Sequence, residues 1–140
     1  FAPHFVSKCA LPHLRKNARA DVIMISSVAT LNHSANGAPY NMGKAACEAL
    51  ALTLAKEEQK NGIRVNIVAP SLTVSDMGEK LAKAVAGVSD IHELDKSFPF
   101  GRVSVPEDVA AAVVWLVSPA NAYASGQKIN IDGGGMATLK

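Results

Sequence analysis

Three short apolar runs, set apart by helix-length segments, constrain this chain more than anything else in it. The first, Asp21-Val22-Ile23-Met24-Ile25-Ser26, is apolar throughout its middle, the pattern of a strand covered on both faces. The second runs from Ile63 to Ala69 and is stopped by Pro70. The third runs from Gly126 to Ile131 into Asp132-Gly133-Gly134-Gly135, which reads as a turn. Such strands alternating with helices build a parallel sheet with helices on its faces. The expected fold class is α/β, with about three parallel strands.

The segments between the runs supply the helices. Residues 1–18 carry Phe5, Cys9, Leu11 and Leu14 near helical spacing, with Pro12 expected to bend or weaken the segment. Residues 28–38 are small and polar and read as a loop. Residues 39–61 read as one long helix, with Pro39 in the first turn and Asn61-Gly62 at the end. Residues 71–103 are less regular, with short helices expected at Met77–Val88 and Asp90–Ser97. A helix is expected over 104–118, with a capping box at Ser104 and Glu107 and an apolar stripe at Val109, Val113 and Leu116.

A chain of 140 residues fits one domain, and 49% hydrophobic with 19% charged residues is ordinary for a water-soluble one. The net charge is +2 and the basic residues are scattered, so nothing points to nucleic acid. No apolar run approaches the ~20 residues of a membrane span. Pro3, His4, Lys8 and Pro12 interrupt the opening apolar residues, against a signal peptide. Cys9 and Cys47 read as reduced thiols packed on helices, which fits a reducing, cytoplasmic setting. His4, His13 and His92 share no metal-ligand spacing, and no metal is expected. Trp115 reads as a packing residue, and His33 as a solvated loop residue beside the pocket.

The residues with chemical promise lie around the first strand. Tyr40 and Lys44 are four apart at the opening of a helix, so they share a face. An ammonium beside a phenol favours the phenolate, which would make Tyr40 a usable acid or base. Such pairs also occur in helices with no catalytic role. Ser27 directly follows the first strand, at the end of a parallel sheet where ligands bind. A serine there also serves as a turn or helix cap.

Ile25-Ser26-Ser27, followed thirteen residues after its second serine by Tyr40-x-x-x-Lys44, resembles the short-chain dehydrogenase/reductase family. So do GIRVNIVAPS at 62–71, PFGRVSVPEDVA at 99–110 and GQKINIDGGG at 126–135. Order and spacing match over essentially the whole chain, most of all with members like 3-oxoacyl-[acyl-carrier-protein] reductase. The resemblance implies a Rossmann-like doubly wound sheet and hydride transfer between a nicotinamide cofactor and a carbonyl or alcohol substrate. It implies Tyr40 as general acid/base, Lys44 as its partner and a ribose contact, and Ser27 as the group orienting the reacting oxygen. Pro70 to Met77 matches the family segment that cradles the nicotinamide. Pro70, Ser71, Thr73 (by its backbone) and Ser75 (by its hydroxyl) are the implied cofactor contacts.

Three departures stand out. Ser71 replaces the glycine that usually follows the proline, which would crowd the ring or alter the turn if the backbone needs φ > 0. Thr73 replaces a valine, and Gly43 precedes the lysine where Ala or Ser is usual. The family's Gly-x-x-x-Gly-x-Gly phosphate loop is not in the sequence, nor is the residue that selects NAD or NADP. Nor is the fourth catalytic residue, an asparagine on the helix that Phe1 joins partway. Residues 1–140 thus read as the C-terminal part of one NAD(P)-binding domain whose cofactor-binding N-terminal half is absent.

Two functions follow: the catalytic half of an NAD(P)-dependent oxidoreductase, or a non-catalytic fragment or associating subunit that binds no cofactor alone. Residues 76–100 match the variable lid over the substrate. Met77, Leu81, Val85, Ile91, Leu94 and Phe98 there favour an apolar or acyl substrate, unless they pack beneath the lid. The helices at 1–18 and 39–61 carry more apolar faces than one sheet can cover, and family members pair by them. A homodimer or homotetramer is the expected assembly.

Overall fold

The computed structural model describes residues 1–135. Helix α1 (Ala2–Leu14) leads to strand β1 (Ala20–Ile25), the short helix α2 (Ala29–Asn32) and the long helix α3 (Ala38–Glu57). Strand β2 (Ile63–Pro70) is followed by α4 (Asp76–Ala86), two 3₁₀ segments (Ile91–Ser97 and Pro99–Gly101), α5 (Pro106–Val117) and strand β3 (Lys128–Ile131). The three strands form a parallel sheet in the order β1-β2-β3. Ala20 stands opposite Ile63 and Ile25 opposite Val68, while Ile67 pairs with Lys128 and Pro70 with Ile131. The expected doubly wound α/β architecture is what the chain adopts.

Central strand β2 explains the layering. Its side chains alternate between faces. Ile63, Val65 and Ile67 are buried in one apolar cluster with Met24, Leu11 of α1, and Cys47, Ala51 and Leu54 of α3. From the opposite set, Arg64 reaches the carbonyls of Leu116 and Asn121 at and beyond the end of α5. α3 therefore covers one face and α5 the other, and a strand with no solvent face reads as a continuous apolar run. Leu116 is fully buried.

Several boundaries differ from the sequence reading, each for a local reason. The loop at 28–38 contains one turn of helix, closed by His33 in the left-handed region at φ 47. The long helix stops at Glu57, and Gln59–Asn61 tighten into a 3₁₀ turn ended by Gly62 at φ 72. A side chain on Gly62 would place its Cβ 2.8 Å from the Ala18 carbonyl oxygen, so the turn admits only glycine. Pro12 sits inside α1 near its end. The capping box of α5 is shifted by one residue: Asp108, not Glu107, accepts from the backbone N–H of Val105 at 2.9 Å. Asp108 also takes a bidentate pair from Arg102, which holds its carboxyl well below the usual range.

Two packing expectations are corrected. Cys47 is buried against Met24, but Cys9 is exposed, and the two are not bonded to each other. Trp115 is 48% exposed, because the helical phase of α5 turns Leu116 inward instead. Among the described residues no helix is long and apolar enough to cross a membrane, and no cluster of side chains is arranged to hold a metal.

Candidate active site

The C-terminal ends of the strands bring the site together. β1 ends at Ile25 and the chain continues through Ser26 and Ser27 into α2. The Ser27 hydroxyl accepts from the N–H of Ala29 at 3.2 Å, leaving its own proton unspent among the described residues. α3 begins at Ala38 with Pro39 in its first turn, which places Tyr40 near the helix start, 45% exposed. One turn on, the Lys44 ammonium donates to the Ile25 carbonyl at 3.0 Å and lies 5.7 Å from the centroid of the Tyr40 ring. The lysine thus ties the helix that carries Tyr40 to the strand end that carries Ser27. No hydrogen bond joins Ser27 to Tyr40 among the described residues; both hydroxyls remain available to a third group.

A second layer of polar contacts lies directly behind this pair. Glu48, one turn beyond Lys44, accepts from Ser26 at 2.5 Å, from Thr30 at 2.9 Å and from Lys128 at 2.8 Å. All three meet a single oxygen, Oε1. Burial acts to raise the Glu48 carboxyl, but the hydrogen bonds from Lys128, Ser26 and Thr30 outweigh it and leave the group below its ordinary value. Sequence reading missed this cluster, although Glu48 follows Lys44 at helical spacing and Lys128 opens strand β3.

The segment after β2 is built from its own polar groups. Pro70 accepts from the N–H of Val28, and Ser71 donates from its N–H to Ile131 at 2.9 Å, so the turn is locked to both neighbouring strand ends. Ser71 has an ordinary backbone; among the described residues the non-glycine ones with positive φ are His33, Asn36 and Phe100. The serine is therefore accommodated without strain. Thr73 pairs with Ser104 in a parallel bridge, and its hydroxyl bonds back to Ser71 O. The Ser75 hydroxyl donates to Thr73 O and accepts from Gly78 N–H as the N-cap of α4. Its one proton is directed to Thr73 O, and donating to another group would require the hydroxyl to turn away from that carbonyl.

Two concavities flank these residues. One, of about 160 Å³, is lined by Ser71, Ile131 and Gly133 with Phe98, Phe100 and Arg102, and opens at the ends of β2 and β3. The other, of about 440 Å³, is lined by His33, Asn36, Ala38, Met42 and Ala45. At 100° per residue, Ala38 and Met42 lie about 200° around α3 from Tyr40. His33 therefore borders a groove on the far side of the helix from the tyrosine. The apolar residues of 76–100, expected to form a lid, divide: Ile91, Leu94 and Phe98 are buried in a cluster with Ala82 and Val103, whereas Met77, Leu81 and Val85 are 70%, 47% and 55% exposed. Those last three are spaced by four and form one stripe on α4.

Comparison with known proteins shows what the chain is similar to. A family model described as Enoyl-(Acyl carrier protein) reductase matches residues 1–136. The short-chain reductase protein NovJ of Streptomyces niveus is 34% identical over 124 residues, 87% of this chain and 47% of its own. L-fucose dehydrogenase of Bos taurus is 36% identical over 130 residues, 92% of this chain and 47% of its own. The chain thus spans about half the length of the curated relatives it matches. Among solved structures, a 7α-hydroxysteroid dehydrogenase complexed with NADH and 7-oxo glycochenodeoxycholic acid superposes with a TM-score of 0.87 at 28% identity. That match covers all of this chain and 53% of the other. ElxO with NADP bound gives 0.80 at 26% identity, over 94% of this chain and 52% of that one.

Proposed function

The chain belongs to the short-chain dehydrogenase/reductase family, and from that premise we propose that it forms the catalytic part of an NAD(P)-dependent oxidoreductase acting on carbonyl or alcohol substrates. The observation that carries this reading is the Lys44 ammonium set between the end of β1 and the Tyr40 ring. The donor set fits a nicotinamide riboside. Lys44 spends one of its three protons on Ile25 and keeps two for ribose hydroxyls, and the backbone from Pro70 to Thr73 lines the ends of β2 and β3. When bound, the nicotinamide supplies or receives the hydride.

This chain's residues do the rest. Tyr40 passes its proton to the carbonyl oxygen as hydride arrives, and takes it back in the alcohol direction. Lys44 steadies the phenolate by opposite charge. Ser27 donates to the same oxygen and fixes its direction. The exposed stripe Met77, Leu81 and Val85 on α4 favours an apolar or acyl substrate. The pyrophosphate site and the choice of NAD or NADP belong to an N-terminal half of the same domain. Exposed Phe5 and Val6 of α1 and Leu52 of α3 favour a homodimer or homotetramer through these helices. A cytoplasmic location goes with the nicotinamide pool.

Tyr40→Phe in the protein that carries both halves tests the assignment. It removes only the phenolic oxygen. Carbonyl reduction should fall by roughly 10²–10⁴-fold while cofactor affinity is retained. A variant keeping more than about a tenth of the parent rate removes Tyr40 from the mechanism.

A further inference from the structure

Resting on the roles given to Tyr40, Lys44 and Ser27 above, we propose that Glu48 is a positioning residue for the reaction. Its carboxylate fixes the end of β1 against α3 and so sets Ser27 relative to Tyr40 and Lys44, with Lys128 of β3 holding that carboxylate in place.

The contacts run in step along two elements. Lys44 and Glu48 are one helical turn apart on one face of α3. Ile25, Ser26 and Ser27 are consecutive at the end of β1. Lys44 takes the Ile25 carbonyl at 3.0 Å and Glu48 takes the Ser26 hydroxyl at 2.5 Å. Two contacts one turn apart on the helix, made to the last residue of β1 and the residue after it, fix both the rotation and the sliding of α3. Thr30 extends the network to Ser27 itself. Its hydroxyl stands 2.9 Å from both the Ser27 carbonyl and Glu48 Oε1, and its single proton serves one at a time. Lys128 donates to the Thr30 hydroxyl at 2.7 Å and to Glu48 at 2.8 Å, reaching across β2 to do so.

The cluster is enclosed. Ser26 is 3% exposed, and the Glu48 and Lys128 side chains are 16% and 21% exposed. Apolar side chains would hold a helix to a strand at lower desolvation cost than an ion pair and two hydroxyls. What the polar set adds is direction, since each donor must meet one oxygen. That direction is applied next to the reacting groups, where a displacement of about 1 Å costs about 10²-fold in rate.

The test uses the enzyme with its cofactor-binding half, with active sites counted by cofactor titration. Glu48→Leu keeps the bulk and removes the acceptor. The expected result is a fall in kcat per cofactor-binding site of about tenfold or more, with cofactor affinity within about threefold. Glu48→Gln should recover most of that loss, because one amide oxygen still accepts from Ser26 and Thr30. A purely structural role would lower the thermal midpoint and the number of competent sites but leave kcat per site unchanged, and that result overturns the proposal. If Glu48→Leu does not fold, Lys128→Met replaces it, leaving Ser26 and Thr30 on Glu48. A fall in kcat per site of about threefold or more is then expected, and an unchanged value overturns the proposal. Tyr40→Phe run alongside separates the two claims. If it is active, the catalytic reading and this inference both fall; if it is inactive while Glu48→Leu keeps its kcat per site, only this inference falls.

Discussion

Lys44 donates a 3.0 Å hydrogen bond to the carbonyl oxygen of Ile25, the last residue of β1. The same ammonium faces the Tyr40 ring, so one side chain couples strand end, phenol and, in the proposed reaction, ribose. Lys44→Ala should therefore damage both rate and cofactor binding in the protein with its cofactor half. A hydrogen bond to a charged group is worth about 1.5–3 kcal/mol, which is about 10–100-fold in dissociation constant. Isothermal titration with NADH and NADPH would measure it, and an unchanged affinity would remove the ribose contact.

Acid should weaken the joint between α1 and the turn after α3. Glu58 is 2% exposed and accepts from Arg15 and from Asn61 at 2.8 Å. The Arg15 hydrogen bonds hold its carboxyl down to about 2, against an ordinary value of 4.5. The folded value lies below the unfolded one, so protons bind the unfolded chain more readily. The contribution is complete above pH 4.5 and is lost as pH falls towards about 2. Glu58→Gln should lower the urea midpoint at neutral pH and flatten its fall below pH 4.5. An equal slope in variant and parent would mean that other carboxylates, Asp108 among them, govern the acid limb.

Gly78 admits no side chain. A Cβ there would lie 2.0 Å from the Thr73 carbonyl oxygen, which is backbone and cannot swing aside. Gly78→Ala must therefore displace the start of α4, the Ser75 cap or the Thr73 bridge to Ser104. Overpacking of this kind costs about 1–3 kcal/mol. Thermal and denaturant midpoints should both fall; a parental midpoint would show that α4 does not sit on Thr73 in solution.

The alternation of buried strands with helices was legible because β2 has no solvent face and β1 and β3 flank it. The parallel order followed from that alone. The positions of Ser27, Tyr40 and Lys44 around one strand end were also legible, since spacing on a helix and adjacency to a strand are local properties. The Glu48 cluster was not. Its partners come from the turn after β1, from α2 and from β3, and no local pattern announces that Lys128 reaches over β2. The fate of the Ser75 hydroxyl was hidden for a similar reason. A serine matching a motif looks free until the carbonyl and N–H that use it are placed. Residues 76–100 were ambiguous in sequence because their six apolar residues divide by element: Met77, Leu81 and Val85 on α4 are exposed, while Ile91, Leu94 and Phe98, in and just after the 3₁₀ segment, are buried.

The last prediction concerns β1. In the described sheet it is an edge strand, hydrogen-bonded on one side to β2. Yet Val22 and Ile23 are only half-buried, Met24 is buried and Ile25 is 45% exposed, so the strand has the composition of an interior one. An apolar edge with unpaired N–H and C=O groups recruits other strands unless something covers it. The polypeptide of residues 1–140 on its own should therefore self-associate, or bind a chain supplying the neighbouring strand. It should also bind NADH and NADPH poorly, since the sequence holds the proposed nicotinamide contacts and no Gly-x-x-x-Gly-x-Gly phosphate loop. Sedimentation at micromolar concentration and a cofactor titration on that polypeptide measure the two halves of this claim. A stable monomer would mean that β1's outer edge is covered in another way. Micromolar cofactor affinity would mean that the cofactor site is not divided between two halves of the domain.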